Sequence, residues 1–564
     1  MTKFSWKKNA QRERTISLEI PNRPRTLKYR FFEILPAFIS YGVVVTMVLL
    51  SFFNPLLASI FLMVVIIALL VRAVGIAFHT ITGFNVIKRA SKVNWQKRFL
   101  ELGNAAESFE AYQKSMSKRQ FDIIKHVNNL RLISEAEQGH FPLPNDIWHW
   151  VIVATYDESI DTLRPTLQAI ADSSFDKSRM VIAIAYEERG GEATEKTVHI
   201  LEKEFKGVFA HFFLVKHPDG LPDEIVGKGA NITYAGHWLY DKAAETNLPT
   251  KHAIVTTIDA DNNVHPSYFS AVAYEYLIRD ERKHLSYQPV SMFMNNIWDA
   301  PAMMRVVAVG NSFWNVISTM RPHVLRNFAS HSQPLAALVE MDFWSKRTIV
   351  EDGHQYWRSY FHFNGNYGVI PIRVPIYQDA VLSDTWWNTM KAQFVQVRRW
   401  DYGASDVAYV AGHLFTRKRN VPFFDCFAKL VRLIEGHTSL AYSALMVTFG
   451  GWLPLIINPD SRRSVIAHQL PTTISFIQTI AMVGIFITIL TSLRMLPPRP
   501  KSYSRFRSFM MVFQWLLMPV VTILYSSVAA FYSQTRLALG LYMEKFDVTK
   551  KVVKNAGQGK NAKI

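Results

Sequence analysis

Thr256-Thr257-Ile258-Asp259-Ala260-Asp261-Asn262-Asn263 closes an apolar run, residues 253–258, that reads as a buried strand. Two carboxylates follow, two residues apart. In extended chain that spacing places both side chains on one face. Two acids facing one way repel unless a cation or a shared proton intervenes. A hard divalent ion such as Mg2+ or Mn2+, held by carboxylates and by a substrate's phosphates, resolves the repulsion. The bland alternative is a solvated turn, because Asp and Asn populate turns freely. The surrounding chain decides between the two.

Upstream, strands and helices alternate. Residues 150–155 form an apolar strand ended by Tyr156-Asp157-Glu158-Ser159, after which Ile160, Leu163, Leu167 and Ile170 keep helical spacing. Residues 180–185 form a second strand, followed by Tyr186-Glu187-Glu188-Arg189-Gly190-Gly191 and another helix. Residues 208–215 form a third, and Gly227-Lys228-Gly229-Ala230-Asn231 opens a helix. Residues 252–258 form the fourth strand, ending in the paired aspartates. Such alternation builds a mostly parallel sheet, and ligands of such sheets bind beyond the carboxyl ends of the strands. Asp157, Glu187, Asp259 and Asp261 all fall at strand ends, where a nucleotide site would lie. Residues 286–420 read as aromatic-rich and irregular.

The rest of the chain is a membrane frame. Of 564 residues, 49% are hydrophobic and 19% charged, with a formal charge of +18. A surplus of that size fits nucleic acid or an anionic membrane surface, and its clustering beside apolar runs favours the membrane. The single cysteine, Cys426, excludes an intrachain disulfide and a cysteine-rich zinc site. Residues 1–30 carry nine Lys/Arg and two acids. Residues 34–53 then run without a charge, long enough to cross a bilayer. Asn54-Pro55 makes a turn, and 56–71 continues as a second span. Further uncharged runs are 438–457, 469–493 and 509–535. The expected division is a basic arm (1–30), a two-helix hairpin (31–80), a helical membrane-proximal linker (81–148), an α/β domain (149–420), an interfacial helix (421–436), C-terminal membrane helices (437–535) and a basic tail (536–564). Lys/Arg excess puts both chain ends in the cytoplasm. Five full crossings would leave the tail outside, so a bent or re-entrant segment at Pro519 is the preferred reading.

At these residues the sequence resembles the membrane-integrated family 2 glycosyltransferases, the group that includes cellulose, chitin and hyaluronan synthases. The likeness covers roughly residues 149–403, the membrane frame and a short piece of tail. It rests on six motifs in order: Tyr156-Asp157-Glu158; Lys228 with Asn231; Asp259-Ala260-Asp261; Glu351-Asp352; Gln396-x-x-Arg399-Trp400; and Phe546-x-Val548-Thr549-x-Lys551. Three departures matter. Val350 stands where cellulose synthases carry Thr, Glu187-Glu188 stands where many relatives have Asp, and only 13 residues follow Lys551. Neither cellulose as product nor regulation by a cyclic dinucleotide follows.

The resemblance implies an α/β GT-A fold (Rossmann-like, mostly parallel sheet), a cytoplasmic domain inserted between transmembrane helices of a bacterial inner membrane. It implies a nucleotide-sugar donor, usually a UDP-sugar, inversion at the anomeric carbon, and a cell-surface polysaccharide as product. Asp259 and Asp261 would hold Mg2+ or Mn2+ against the leaving diphosphate. Asp352 would act as general base on the acceptor hydroxyl, with Glu351 orienting the site. Asp157, Glu187, Lys228, Asn231 and Arg399 would bind the donor, Gln396 and Trp400 the acceptor, and Phe546, Val548, Thr549 and Lys551 would close over the nucleotide. Each has a plainer reading: Asp352 as a helix N-cap, Arg399 on lipid phosphate, Trp400 in an interfacial belt, Asp157 and Glu187 as turn acids, the tail as a lipid tether. His354 is expected to be structural. Expected partners are the donor, a glycan or lipid-linked acceptor, and membrane lipid. The competing functions are transfer of one sugar to a lipid carrier, a non-enzymatic membrane scaffold, a glycoside hydrolase, and nucleic-acid binding.

Overall fold

The computed structural model describes residues 18–117, 120–459 and 465–545. Eight strands form one sheet: β1 (Trp148–Thr155), β2 (Met180–Glu187), β3 (His211–His217), β4 (Ala253–Asp259), β5 (Asn263–Val264), β6 (Leu285–Met292), β7 (His331–Pro334) and β8 (Gly368–Tyr377). Their order is β3-β2-β1-β4-β7-β6-β8-β5. Strands β3, β2, β1 and β4 are mutually parallel. β7 runs against β4 and β6, and β5 runs against β8. The expected α/β, mostly parallel architecture is therefore present, flanked by apolar helices near both ends.

Side chains of β1 and β2 are buried on both faces, which explains their unbroken apolar sequence. On one face Val151, Val153, Ile182, Ile184 and Ile258 meet Leu163, Leu167, Ile170, Val198, Val272 and Leu277 from three helices. On the other, Trp150, Ile152, Val181 and Val255 meet Ile232, Ala235, Leu239 and Leu338. Each such side chain contributes about 1.5–3 kcal/mol on burial.

The third strand begins at His211 rather than Val208, because residues 205–210 turn, with Val208 N–H donating to Phe205 O at 3.2 Å. The segment 286–420 is not irregular. It supplies most of β6, and all of β7 and β8, together with the helices Ala302–Thr319, Glu351–His362 and Trp386–Asp401. The strands were illegible because β6 and β8 contain prolines and β7 is the polar tetrapeptide His331-Ser332-Gln333-Pro334.

Three helical stretches are long and apolar enough to cross a membrane among the described residues: Leu27–Phe53, Pro55–Arg72 and Arg505–Leu539. Thr26 caps the first through Tyr29 N–H at 3.3 Å. Asn54 caps the second through Leu57 N–H at 3.1 Å, with Pro55 in its first turn. The first two expose Phe38, Val45, Leu49, Phe53, Ile60 and Val64, an apolar surface suited to lipid. The second helix runs on to Ala90, past the expected boundary at 80. Residues 423–449 form one helix, joining the expected interfacial helix to the start of the third uncharged run. The last stretch is broken around Pro519: a 3-10 turn at Gln514–Leu517, α-helix at Met518–Thr522, a π-turn at Ile523–Ser527, then α-helix to Leu539. Proline lacks the N–H and crowds the preceding turn, which is why regular hydrogen bonding lapses there.

Behind the site, Asp342 and Phe343 are consecutive non-glycine residues at φ +61° and +59°. Such backbone persists only where its surroundings over-determine it. Buried Arg358 does this, donating to Met341 O at 2.8 Å and to Phe343 O at 2.5 Å, with Glu19 Oε1 3.3 Å away. The phenyl ring of Phe343 then fills the space above Gly236, where a Cβ would lie 2.4 Å from Cδ1. Replacing Arg358 by Met keeps most of the volume and strands the two carbonyls. A loss of about 1–3 kcal/mol is expected, seen as a lower melting temperature of the detergent-solubilised chain; an unchanged melting temperature would show that the two left-handed residues hold themselves.

Candidate active site

The site forms where β4 stops. Asp259 is its last residue, and Asn262 N–H donates to Asp259 O at 3.1 Å, turning the chain. Asp261 therefore sits in a turn and not in the strand. Its Oδ2 accepts Asp379 N–H at 3.2 Å, and its carbonyl accepts Asn295 Nδ2 at 3.1 Å. Asn262 is fully buried and donates to Ser330 Oγ at 2.5 Å.

Two helices begin at the same place. Lys228 is the first residue of helix Lys228–Thr246, and Glu351 the first of helix Glu351–His362. Lys228 Nζ lies 2.5 Å from Asp259 Oδ1 and 3.6 Å from Glu351 Oε1. Gly229 permits the approach: a Cβ there would lie 2.6 Å from Ser345 O and 3.0 Å from Glu351 Cβ. Burial alone would lower the Lys228 pKa, but the carboxylates of Asp259, Glu351 and Asp352 raise it above its ordinary value. Burial pushes the Glu351 carboxyl up to about 7, Asp352 and Asp259 add to the rise, and Lys228 opposes it.

Asp352 is not the N-cap, which is Val350, but lies in the first turn. Its Oδ1 accepts Gly353 N–H at 2.7 Å and its Oδ2 accepts Ala329 N–H at 2.6 Å. Ala329 has φ +32°, a costly setting for a residue with a Cβ. Each carboxylate oxygen keeps lone-pair capacity for a further partner.

On the β1 and β2 side, Asp157 is exposed, while Glu158 Oε2 accepts Thr155 Oγ1 at 2.7 Å and Tyr156 N–H at 2.8 Å. Glu187 is buried and paired with Arg189 Nε at 2.5 Å. The Arg189 guanidinium stacks 3.8 Å above the Tyr156 ring. A cavity of about 80 Å³ opens beside Glu187, lined also by His217, Asp219 and Glu224. Asn231 points inward: its Nδ2 donates to Ala185 O at 2.8 Å, fastening the helix to the end of β2.

The helix Trp386–Asp401 carries the Gln396-x-x-Arg399-Trp400 motif. Gln396 is buried, with Oε1 accepting Gln393 Nε2 at 3.1 Å. Arg399 is half-buried. Trp400 packs on Phe293 with ring centroids 5.9 Å apart, and Phe293 is two residues before Asn295, which holds the Asp261 carbonyl. His354 is fully buried, its Nδ1 2.6 Å from Asp406 Oδ1, and so fixes helix Glu351–His362 to helix Asp406–Leu414. Phe546, Val548, Thr549 and Lys551 lie outside the described residues. The chain leading to them is held at the site's edge: Met543 N–H donates to Tyr402 OH at 3.2 Å, Tyr542 and Met543 pack by Ile349 and Val350, and Lys545 bridges to Val226.

The structure thus gathers Lys228, Asp259, Glu351 and Asp352, with Asp261 in the adjoining turn. Sequence reasoning missed Gly229, Asn295, Ala329, Asp379 and Tyr402. Only Gly229 carried a local signal, a glycine in a helix's first turn beside a charged residue. The others act through backbone groups or across long chain separations. Among the described residues no group of three or more His, Cys, Asp or Glu is arranged to hold a metal. Asp259 at the end of β4 and Asp261 in the adjoining turn are nonetheless oxygen donors of the kind Mg2+ or Mn2+ takes, ions that keep several ligand positions for water and substrate phosphate.

No family model matches the chain, and no curated protein matches it. Among solved structures it is similar to the mannosyltransferase PcManGT from Pyrobaculum calidifontis in complex with GDP-Man and Mn2+. Identity is 13% over 78% of this chain and 100% of that one, with a TM-score of 0.38. It is also similar to S. aureus TarS residues 1-349, at 13% identity over 70% of this chain and 93% of that one, TM-score 0.33. The same TarS fragment in complex with UDP-GlcNAc gives 14% identity over 60% and 90%, TM-score 0.28. At these scores the likeness assigns no activity to this chain.

Proposed function

We propose that the chain is a membrane-bound inverting glycosyltransferase that uses a nucleotide-sugar donor to extend a cell-surface polysaccharide. The observation that carries this reading is the meeting of Lys228, Asp259, Glu351 and Asp352 where β4 and two helix N-termini converge. Helix N-termini and a lysine favour a diphosphate. The acids supply what a phosphate-bound divalent cation and a proton transfer require.

Asp259 and Asp261 would hold that cation, which supplies charge neutralisation at the leaving diphosphate. Lys228 presents a second positive charge, and Glu351 holds it in place. Asp352, fixed by two backbone N–H groups, accepts the proton of the acceptor hydroxyl. Arg399 adds charge-assisted bonds to the donor, and Trp400 offers a flat face to the acceptor sugar. Glu187, ion-paired with the Arg189 that stacks over the Tyr156 ring, shapes the wall of the nucleobase end. The order of motifs favours a polymer. The apolar helices beside the site favour, as second reading, a lipid-linked acceptor. Product length, measured with purified enzyme and a labelled donor, separates the two; absence of transfer with every nucleotide-sugar tested removes both.

Asp352→Asn is expected to keep donor binding and lose transfer by ~100-fold or more. Asp261→Asn is expected to weaken donor binding as well, and to raise the Mg2+ or Mn2+ concentration needed for half activity. Wild-type transfer by Asp352→Asn, or full wild-type activity in excess chelator, would remove these assignments.

Glu351 binds its proton more tightly folded than unfolded, its pKa rising from 4.5 to about 7. Between those values the folded chain holds more protons than the unfolded one, so this group's contribution to stability falls as pH rises through that window. In metal-free protein, wild type minus Glu351→Gln should show that decline; parallel stability curves for the two from pH 4.5 to 7 would contradict it.

The tail motif acts as a lid in this reading, supported by the anchoring of residues 542–545 beside Val226, Val350 and Tyr402. Truncation after Lys545 should leave membrane insertion unchanged and lower turnover by roughly tenfold or more, the scale of excluding water and completing the site. Undiminished turnover would reduce the tail to a lipid tether.

A further inference from the structure

A cavity of about 760 Å³ lies outside the acidic cluster, lined by Arg305, Arg507, Ser383, Ser502, Trp386 and Met510 among others. Arg305 is 6% exposed. Its Nη1 donates to Ala300 O at 2.7 Å and its Nε to Gln514 Oε1 at 2.6 Å, and Nη2 has no hydrogen bond among the described residues. Arg507 donates through Nη2 to Trp298 O, and its buried Nε has no partner. Neither guanidinium is in an ion pair among the described residues. The carboxylate in the wall, Asp299, accepts the Tyr503 hydroxyl. Burial and the nearby Arg507 cation push Arg305 down to about 10. Two cations lining one cavity with no ion pair among the described residues are costly away from water, and a guanidinium pair with hydroxyls around it is a phosphate-binding chemistry.

The rim of the cavity also carries apolar side chains, Leu382, Trp386, Phe506 and Met510. Arg507 lies in the first turn of the apolar stretch Arg505–Leu539. Trp386 and Phe506, which line it, are 50% and 67% exposed, and Trp387, next in the chain, is 69% exposed, the aromatic character of a membrane–water boundary. We propose that this cavity binds the phosphate headgroup of a membrane lipid, with Arg305 and Arg507 on the phosphate and Trp386, Phe506 and Met510 along the start of the acyl chains. The site stands independently of the sugar transfer proposed above. Its position is nonetheless pointed. The segments that line it, 299–301 and 382–386, are continuous with Asn295 and Asp379, which both bond to Asp261.

The test uses the full chain in detergent, titrated with dioleoyl phosphatidic acid and, as a control without phosphate, dioleoylglycerol, and read by native mass spectrometry. Phosphatidic acid should bind in preference to dioleoylglycerol. The double variant Arg305→Gln/Arg507→Gln should weaken it by ~10-fold or more, the worth of charge-assisted hydrogen bonds. Because Arg305 also braces Gln514, Ser502→Trp on the exposed rim serves as a second variant; it fills the mouth, keeps both guanidinium groups, and should weaken binding comparably at unchanged melting temperature. Equal binding of the two lipids, or wild-type affinity in both variants, overturns the proposal. Displacement of phosphatidic acid by an equal concentration of inorganic phosphate also overturns it, since the site would then take the free anion and not a lipid.

Discussion

One ammonium group holds the site together. Asp259 and the adjacent pair Glu351-Asp352 come from two distant parts of the chain, and three carboxylates brought to one place repel. At an effective dielectric near 20, each like pair at 4 Å costs about 4 kcal/mol. Lys228 sits among them, 2.5 Å from Asp259 and 3.6 Å from Glu351. It reaches them because Gly229 lets the helix start press against Ser345 O and Glu351. The carboxylates around it raise the basicity of Lys228 against the effect of burial, while burial first, and then Asp352 and Asp259, raise the pKa of Glu351. In the function proposed above, a phosphate-bearing, metal-bearing ligand would redistribute this charge as a diphosphate leaves.

The frame meets this site through a second buried carboxylate. Glu33 lies in the first apolar helix at 1% exposure, paired with Arg25 and Arg30 and accepting the Tyr542 hydroxyl at 2.8 Å. An ionised group in such a helix is tolerated when it is paired inside the protein. Arg30 also donates to Leu537 O at 2.9 Å and Ala538 O at 2.7 Å, carbonyls in the last turn of the helix that ends at Leu539. The first helix and the tail are thereby joined, and the tail is delivered to Tyr402 and Val226 at the site's edge.

What could be read from the sequence follows how local each signal was. β1, β2 and β4 were legible because both faces are buried, which writes an unbroken apolar run. β7 was not, since its four polar residues are satisfied from elsewhere: Ser332 by Thr256 Oγ1 at 2.8 Å and Gln333 by Tyr367 OH at 3.0 Å. In the site, Lys228, Asp259, Glu351 and Asp352 were named from motifs, and the structure brings them together. Asn231 was named with them yet faces β2, because a buried amide near two strand ends finds backbone carbonyls first. Nothing local marked Ala329, whose N–H fixes Asp352 across 23 residues.

The acidic cluster and the arginine cavity are opposite in sign and share their supports. Asn295 and Asp379 grip Asp261, and Asn296 holds the next turn by accepting Ala380 N–H at 2.7 Å while donating to Ala380 O at 2.9 Å. From this double clasp one strand of chain runs to Asp299 and Ala300 and the other to Leu382 and Ser383, all on the cavity wall. Rigid, reciprocal hydrogen bonds of this kind transmit position better than packing alone, because each partner's geometry is fixed in direction as well as distance. A phosphate seated between Arg305 and Arg507 would therefore be held in a constant relation to Asp261. In the two proposals together, separation of charge, with acids around one lysine on one side and arginines without an ion pair among the described residues on the other, would let the chain keep a cation-seeking site and an anion-seeking site close together without the two neutralising each other.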